Sequence, residues 1–407
     1  MNIDTYGFEA YGTAVAPTAN TTMSNTPNGT DFASSTAFAA YTAASASTSN
    51  RNPLYSANGS YCSASITYTP SGSVSNSGTN ALGIYWGQGR VAASGKSGSY
   101  SLLFLLEVAG YGGAGSAVSS STFSFPIWTS KPSVGFWLYL GDAAWAAAGD
   151  LVQIGGGTGL RLRWLGGTSF QVFQNSTSLG TFTSLSFVGG NWIYVGFDYV
   201  AGTSIRFKVG IADSGVLSTT YNTYSTNVTI GFSYAIPGST SNFHGWHLID
   251  DIIYNDAGLD DGSGTNLGQP YLYGDCRVVY LPAPTLAASS GITFTGASIP
   301  ASLVSASDGL SVKLSASGYA LCTLATVPSS GLLDTVQSVK MYAQGVYNSV
   351  PANAHNLNFG TTIGGNTVSY GATTASASAT NYCKVFNYPG TLTQFNAGAT
   401  SNISCPS

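Results

Sequence analysis

Residues 160–164 read Leu-Arg-Leu-Arg-Trp, and this alternation of apolar and charged residues decides the fold class. Successive side chains of a β-strand point to opposite faces of a sheet, so Leu160, Leu162 and Trp164 share one face while both arginines lie on the other. A segment of this kind is predicted to be a strand with one buried face and one polar face.

Three further segments follow the same rule. Ile205–Val209 repeats the alternation, and aromatic and β-branched residues dominate Phe170–Gln174 and Trp192–Tyr199. Glycine-rich turns separate these strands, at 155–157, 166–167 and 189–190. Strands at this spacing, with no long helical period between them, predict an antiparallel β-sandwich.

The pattern breaks at Leu281-Pro-Ala-Pro284, where two prolines cannot take part in a strand ladder and fit a linker. We therefore expect two domains, a larger one at 1–282 and a smaller one at 283–407. The clearest strand of the second domain is Val336–Val346. Its predicted partners are Asn356–Gly360 and Tyr382–Phe386, which would give a small β-sandwich.

The composition indicates a packed protein with few charges. Only 7% of the 407 residues are charged, against about 25% in a typical globular chain, yet the chain has 25 Tyr, 19 Phe and 7 Trp. The 12 Lys and Arg are scattered and the net charge is −4, so we expect no nucleic-acid partner. No apolar run is long enough to span a membrane. So few charges give little repulsion between copies, which suits a protein held in an assembly.

The first residues, 1–11, lack the basic and apolar regions of a signal peptide, so we expect synthesis in a cytoplasm. The five cysteines, at 62, 276, 322, 383 and 405, include no CxxC pair that would suit zinc. Mainly free thiols are expected, with a Cys322–Cys383 disulfide as the alternative once the protein leaves that compartment.

Several motifs stand out beside the alternation. Asp4–Tyr11 reads Asp-Thr-Tyr-Gly-Phe-Glu-Ala-Tyr, Ile249–Tyr254 reads Ile-Asp-Asp-Ile-Ile-Tyr, and Gly274–Pro282 reads Gly-Asp-Cys-Arg-Val-Val-Tyr-Leu-Pro. With Phe170–Phe173 and Gly190–Tyr199, they resemble the concanavalin A-like or LamG-like jelly-roll structural proteins of tailed bacteriophages. The resemblance covers 1–282 and, more loosely, 283–407. It implies a concanavalin A-like jelly-roll sandwich followed by a smaller β-sandwich, and a place in the virion.

Five of the 16 acidic residues fall within 12 positions, at Asp250, Asp251, Asp256, Asp260 and Asp261. Clustered carboxylates with loop carbonyls suit Ca²⁺, which takes about six to eight oxygen ligands. A structural calcium site is one interpretation. The other is a turn-rich loop whose aspartates cap their own backbone, and the resemblance gives the Asp pair a structural role. No other cofactor is expected.

Catalysis is not expected from this sequence. Retaining glycosidases need two carboxylates about 5–5.5 Å apart, and glucanases of the resembled fold usually carry them in an E-x-D-x-x-E strand. The two glutamates, Glu9 and Glu107, both lack that neighbourhood. His244-x-x-His247 on a strand would place its rings on opposite faces, so packing or hydrogen bonding is favoured over metal binding.

We expect a virion surface structural protein: a capsid decoration, head fibre or tail fibre docked on other virion proteins. It would be a homo-oligomer, with a trimer as the predicted state. The alternative is a receptor-binding lectin for a host-surface glycan, because aromatic faces stack on sugar rings. The candidate side chains are Trp86, Trp128, Trp137, Trp145 and Tyr111. Buried core positions are the other interpretation of these aromatic residues.

Overall fold

The structure is a computed structural model, and it describes residues 3–7, 62–70, 80–88, 101–109, 117–140, 149–236, 242–255, 285–295, 311–323, 335–346, 356–363, 366–374, 380–391 and 400–404. Within these residues the secondary structure is strand apart from one 3-10 turn, Gly156–Thr158. No helix in the described ranges has the length and hydrophobicity needed to cross a membrane.

The described strands are β1 (Ile3–Tyr6), β2 (Ser63–Pro70), β3 (Asn80–Gln88), β4 (Ser101–Ala109), β5 (Ala117–Ile127), β6 (Ser133–Leu140), β7 (Gly149–Ile154), β8 (Leu160–Gly166), β9 (Ser169–Gln174), β10 (Thr177–Thr183), β11 (Trp192–Val200), β12 (Ser204–Val209), β13 (Ala212–Asp213), β14 (Leu217–Ser218), β15 (Thr226–Ile236), β16 (Asn242–Asn255), β17 (Thr285–Thr295), β18 (Ser311–Thr323), β19 (Thr335–Val346), β20 (Asn356–Ile363), β21 (Asn366–Thr374), β22 (Thr380–Thr391) and β23 (Thr400–Ser404). They fall into two compact units, β1–β16 and β17–β23. The predicted boundary at residues 282 and 283 lies outside the described residues.

The first unit is an antiparallel sandwich of two sheets. Among the described residues, one sheet has nine strands in the order β13-β12-β11-β6-β16-β4-β3, with β1 beside β16 and β14 beside β12. We call it the front sheet. The other has seven strands in the order β10-β9-β8-β7-β15-β5-β2, and we call it the back sheet. The chain crosses repeatedly between the two sheets: β11–β14 lie in the front sheet, β15 in the back sheet and β16 in the front sheet again. Such crossings are typical of a concanavalin A-like jelly roll.

Aromatic side chains from both sheets meet in the core. Tyr6 of the front sheet lies 6.1 Å from Phe123 and 5.5 Å from Phe125 of the back sheet, measured between ring centroids. Phe232 of the back sheet lies 5.1 Å from His247 of the front sheet. All five side chains are buried. Each large apolar side chain removed from water contributes about 1.5–3 kcal/mol, so these contacts hold the sheets face to face.

The four strands predicted from alternation are confirmed as β8, β9, β11 and β12. On β8, Leu160, Leu162 and Trp164 are buried, while Arg161 and Arg163 lie on the outer face of the back sheet. The predicted turn at 155–157 overlaps the 3-10 turn Gly156–Thr158, and Gly155, Gly156 and Gly167 adopt the positive φ angles that favour glycine.

The second unit contains a five-stranded antiparallel sheet, β17-β18-β23-β20-β21, and a separate two-stranded sheet of β19 and β22, within the described residues. The predicted strands Val336–Val346 and Tyr382–Phe386 are present and pair with each other. The predicted pairing of Asn356–Gly360 with Val336–Val346 is wrong, because β20 pairs with β21 and β23 instead. Alternation identifies a strand but carries no information about which strand lies beside it.

Candidate functional site

The outer face of the front sheet carries an unusual concentration of aromatic side chains. Strand β6 places Trp137 and Tyr139 on this face, and β11 places Trp192 and Tyr194 beside them. We call these four residues the aromatic quartet. The intervening residues of both strands point into the core, so the quartet is not required to fill the sandwich.

The pairing register of the two strands brings the quartet together. Trp192 is directly opposite Tyr139, and Tyr194 is directly opposite Trp137. The ring centroids of Trp137 and Tyr194 are 5.5 Å apart with an interplanar angle of 75°, and those of Tyr139 and Trp192 are 5.5 Å apart at 59°. These are the edge-to-face and tilted arrangements that aromatic pairs prefer.

The quartet is partly accessible to solvent. Trp137, Tyr139 and Trp192 are half-buried, and Tyr194 is 6% exposed. On the neighbouring strand β16, Leu248 and Asp250 occupy the same two rows and are fully buried. The accessible members of the quartet are therefore Trp137, Tyr139 and Trp192.

The row next to the quartet contains two glycines. Gly135 of β6 is opposite Gly196 of β11, and each is two residues from a ring of the quartet. Residues two apart on a strand are about 7 Å apart. On their own strands, Trp137 and Tyr194 therefore have no side chain beside them on that flank. Lys208 of β12 completes the row and is half-buried.

A buried polar row lies beyond the glycines. Ser133 donates a hydrogen bond from its hydroxyl to Oδ1 of Asp198, the residue directly opposite on β11. Ser133 is fully buried and Asp198 is 3% exposed. A buried carboxylate is costly unless it is hydrogen-bonded, and this pair supplies that bond. The row supports the sheet rather than facing solvent.

The edge of the front sheet ends in an ion pair. Nε of Arg206 donates to both carboxylate oxygens of Asp213 at 2.9 Å. Burial alone would raise the pKa of Asp213, but hydrogen bonds from Arg206 and from the Gly215 amide, with the charges of Arg206 and Lys208, hold it below its ordinary value. Arg206 is thus paired with Asp213, and the charge of Lys208 also acts on that carboxylate.

Two of the five predicted calcium ligands lie in the described residues. Asp250 and Asp251 are on strand β16 and not in a loop, and both are buried. Asp251 has a φ of 47° and its amide donates to Oδ1 of Asp250 at 2.8 Å, at a bulge in the pairing with β6. Asp250 therefore caps the next backbone amide, as the second interpretation expects, although it does so on a strand and not in a loop.

The other three predicted ligands, Asp256, Asp260 and Asp261, lie outside the described residues. Within the described ranges, no group of three or more His, Cys, Asp or Glu residues could hold a metal ion. The calcium site therefore stays a prediction.

His247 packs in the core, as expected from its position on a strand. Its ring stacks on Phe104 at 4.9 Å and meets Phe232 at 5.1 Å. Burial lowers the pKa of His247 to about 3, so the side chain is neutral across the physiological range. Glu107 lies on β4 opposite His244 of β16. Glu9 lies outside the described residues, so the predicted absence of catalysis stays a prediction.

The sequence identified one member of the quartet and missed three. Trp137 was among the predicted sugar-stacking residues, whereas Tyr139, Trp192 and Tyr194 were not. Their signal is the occurrence of aromatic residues at the outward positions of strands whose inward positions are already apolar. Trp128 instead packs on Tyr254 at 4.4 Å. Of the remaining candidates, Trp86 lies on β3, and Trp145 and Tyr111 lie outside the described residues.

Comparison with known proteins gives structural likenesses at low identity. No family profile and no curated protein matches the sequence. The chain is similar to the cellulose-induced protein Cip1, with 16% identity, a TM-score of 0.32, and coverage of 47% of this chain and 91% of that one. It is similar to an alginate lyase from Corynebacterium sp. with 15% identity, a TM-score of 0.28, and coverage of 41% and 79%. It is also similar to a botulinum neurotoxin serotype D/C binding domain, with 10% identity, a TM-score of 0.29, and coverage of 83% and 93%. The assignment of the first unit as a jelly-roll sandwich rests on its strand pairing.

Proposed function

We propose that the first unit is a carbohydrate-binding domain and that the aromatic quartet on the front sheet is its binding face. The observation that carries this proposal is the quartet itself. Four aromatic side chains occupy adjacent outward positions on two paired strands, and Trp137, Tyr139 and Trp192 are half-buried instead of enclosed.

The chemistry of the face suits a neutral sugar. A pyranose ring has faces of C–H groups that pack on aromatic rings, and Trp and Tyr also offer a polar tip for hydroxyl groups. Ligand sites in proteins are typically apolar and aromatic with a few placed polar groups. Here Arg206 lies at one end, paired with Asp213, and Lys208 lies in the row beside the quartet. The quartet itself carries no charge, so the proposed contact does not require a charged sugar.

The proposal is tested by binding of the purified chain to a panel of neutral host-surface glycans, followed by titration of the best ligand. Trp192→Ala removes a half-buried ring and is expected to weaken binding by about tenfold or more, as is usual for aromatic residues at the centre of a binding site. The matched control is Tyr224→Ala, since Tyr224 is 45% exposed and lies outside the quartet.

Two results would contradict the proposal. One is the absence of saturable binding to any neutral glycan by the unmodified chain. The other is equal affinity of Trp192→Ala and the unmodified chain. Binding without turnover is also expected, and release of reducing sugar from the bound glycan would contradict the non-enzymatic part of the proposal.

A second proposal is that the protein is a virion surface structural protein that docks on other virion proteins as a homo-oligomer. The sequence resemblance suggests the virion, and an exposed aliphatic cluster supports docking. Leu185 is 78% exposed, Val188 52% and Ile211 86%. The loop that carries Leu185 and Val188 packs beside the Ile211 turn, because the hydroxyl of Ser184 donates to the Val209 carbonyl at 2.7 Å.

This second proposal is tested by cryo-electron microscopy of purified particles and by light scattering of the isolated chain. We expect density that repeats with the local symmetry and a mass of about three chains. Leu185→Ser with Ile211→Ser is expected to remove the chain from particles without unfolding it. Val216→Ser is the control, since Val216 is 56% exposed in a different turn. A free monomer that is absent from particles would exclude the virion role.

A further inference from the structure

The outer face of the back sheet holds a charged cluster that the carbohydrate-binding proposal does not use. Asp150 of β7 is 7% exposed and lies between two arginines of β8. Its Oδ1 accepts a hydrogen bond from Nε of Arg163 at 2.6 Å, and its Oδ2 accepts one from Nη1 of Arg161 at 3.3 Å. Gln153 donates to the same Oδ2 at 3.1 Å. A nearly buried carboxylate with three such bonds holds both guanidinium groups in place.

An aromatic ring fixes the same two groups from a second direction. The guanidinium carbons of Arg161 and Arg163 each lie 5.3 Å from the ring centroid of Phe173 on β9. Contacts of this kind orient a guanidinium plane and stabilise its charge. Arg161 is largely committed, because its Nη2 also donates to the carbonyl of Asn175 and its side chain is 13% exposed.

Arg163 is different. Its side chain is 36% exposed, and within the described residues only its Nε has a protein partner. Its two terminal nitrogens are therefore available as a pair of donors with a fixed direction. A guanidinium fork of this kind matches the two oxygens of a carboxylate. Two arginines and one aspartate leave the cluster with one unit of positive charge, enough for one carboxylate.

The surroundings suit a sugar more than a peptide. Gln171 lies directly opposite Arg163 and donates to the hydroxyl of Ser178 at 2.8 Å, and Thr181 lies opposite Gln171. Amide and hydroxyl groups on this face can pair with sugar hydroxyls. We propose that Arg163, aligned by Asp150 and Phe173, binds the carboxylate of an acidic glycan at a second site on the back sheet.

The test is titration of the full chain with trigalacturonic acid and with sialyllactose, each compared with its methyl ester. The unmodified chain is expected to bind at least one of the two acids. Its affinity for the corresponding methyl ester is expected to be at least about tenfold lower, because the ester loses the charge-assisted bonds. Arg163→Lys keeps the charge but loses the fork, and it is expected to lose about tenfold in affinity for the acid. Trp192→Ala on the front sheet is expected to bind the acid as the unmodified chain does.

Nuclear magnetic resonance of the unmodified chain gives a measurement that does not depend on a variant. The shifts caused by the acid are expected to centre on Arg163 and Gln171. The proposal is overturned if neither acid binds, if acid and ester bind equally, or if Arg163→Lys remains folded with full affinity. Shifts that centre on the aromatic quartet would also overturn it, while leaving the front-sheet proposal intact. Binding of a glutamate-containing peptide in place of both sugars would overturn the glycan assignment.

Discussion

His247 is predicted to make the fold sensitive to acid. The ring lies between Phe104 and Phe232, and burial lowers the pKa of His247 from 6.5 to about 3. In the unfolded chain the imidazole has its ordinary pKa, so between pH 6.5 and pH 3 the unfolded state binds a proton that the folded state does not. Stability is therefore complete above pH 6.5 and falls as the pH decreases through this window.

The size of the effect follows from the same two values. Each pH unit within the window costs about 1.4 kcal/mol, so the free energy of unfolding is expected to fall by about 3 kcal/mol between pH 7 and pH 4 because of His247 alone. His247→Phe places an apolar ring between the same two rings and removes the proton-binding group. It is expected to remove this part of the pH dependence.

Urea unfolding at pH 7, 5.5 and 4, monitored by tryptophan fluorescence, measures the difference. Asp213 also loses stabilisation as the pH decreases, because its folded-state pKa is lowered, but this contribution is the same in both proteins and cancels in the comparison. Parallel pH profiles of the unmodified chain and His247→Phe would refute the assignment of a buried, neutral His247.

Three further predictions concern stability. A Cβ at Gly159 would lie 1.8 Å from the carbonyl oxygen of Ile154, whereas one at Gly157 would have no heavy atom within 4 Å. In urea unfolding, Gly159→Ala is therefore expected to lower the free energy of unfolding by about 1–3 kcal/mol, and Gly157→Ala is expected to change it little. Similar losses for the two variants would show that the turn is not packed as described. The hydroxyl of Tyr199 donates to the carbonyls of Tyr221 at 2.6 Å and Thr223 at 3.2 Å. Tyr199→Phe is therefore expected to lower the free energy of unfolding by about 1–2 kcal/mol. A decrease no larger than that caused by Tyr224→Phe, at an exposed position, would be inconsistent with a buried hydrogen bond. If the aspartates at 250–261 hold calcium, Ca²⁺ at about 100 times its dissociation constant should add about 2.7 kcal/mol to the free energy of unfolding. Chelation should remove this added stability, and Asp260→Asn should reduce it. A melting temperature that does not change with Ca²⁺ would favour backbone capping.

Much of the first unit could be predicted from local pattern. The alternation in 160–164 and 205–209 predicted both the strands and their buried faces, because the period of side-chain direction in a strand is a property of the backbone itself. The positions of several turns followed from glycine for a similar reason. The structure also confirms the sandwich class, since one-sided apolar strands must bury that face against another layer.

The sites could be predicted only in part, because each depends on strands brought together by pairing. Trp137 and Tyr194 are 57 positions apart in the chain and lie opposite each other only because β6 pairs with β11. The two arginines of β8 were expected on a polar face, but neither Asp150 nor Phe173 could be assigned to them beforehand. The predicted pairing of Asn356–Gly360 failed for the same reason.

The sequence by itself therefore determined which residues form strands, which side of each strand is apolar, and how few charges the surface carries. Only the tertiary structure decided which strands are neighbours, and with that the aromatic quartet and the alignment of Arg163. The physical reason is that strand direction and alternation are local, whereas backbone hydrogen bonds between strands are alike for almost every residue type. Partner and register are chosen by the fit of the whole core.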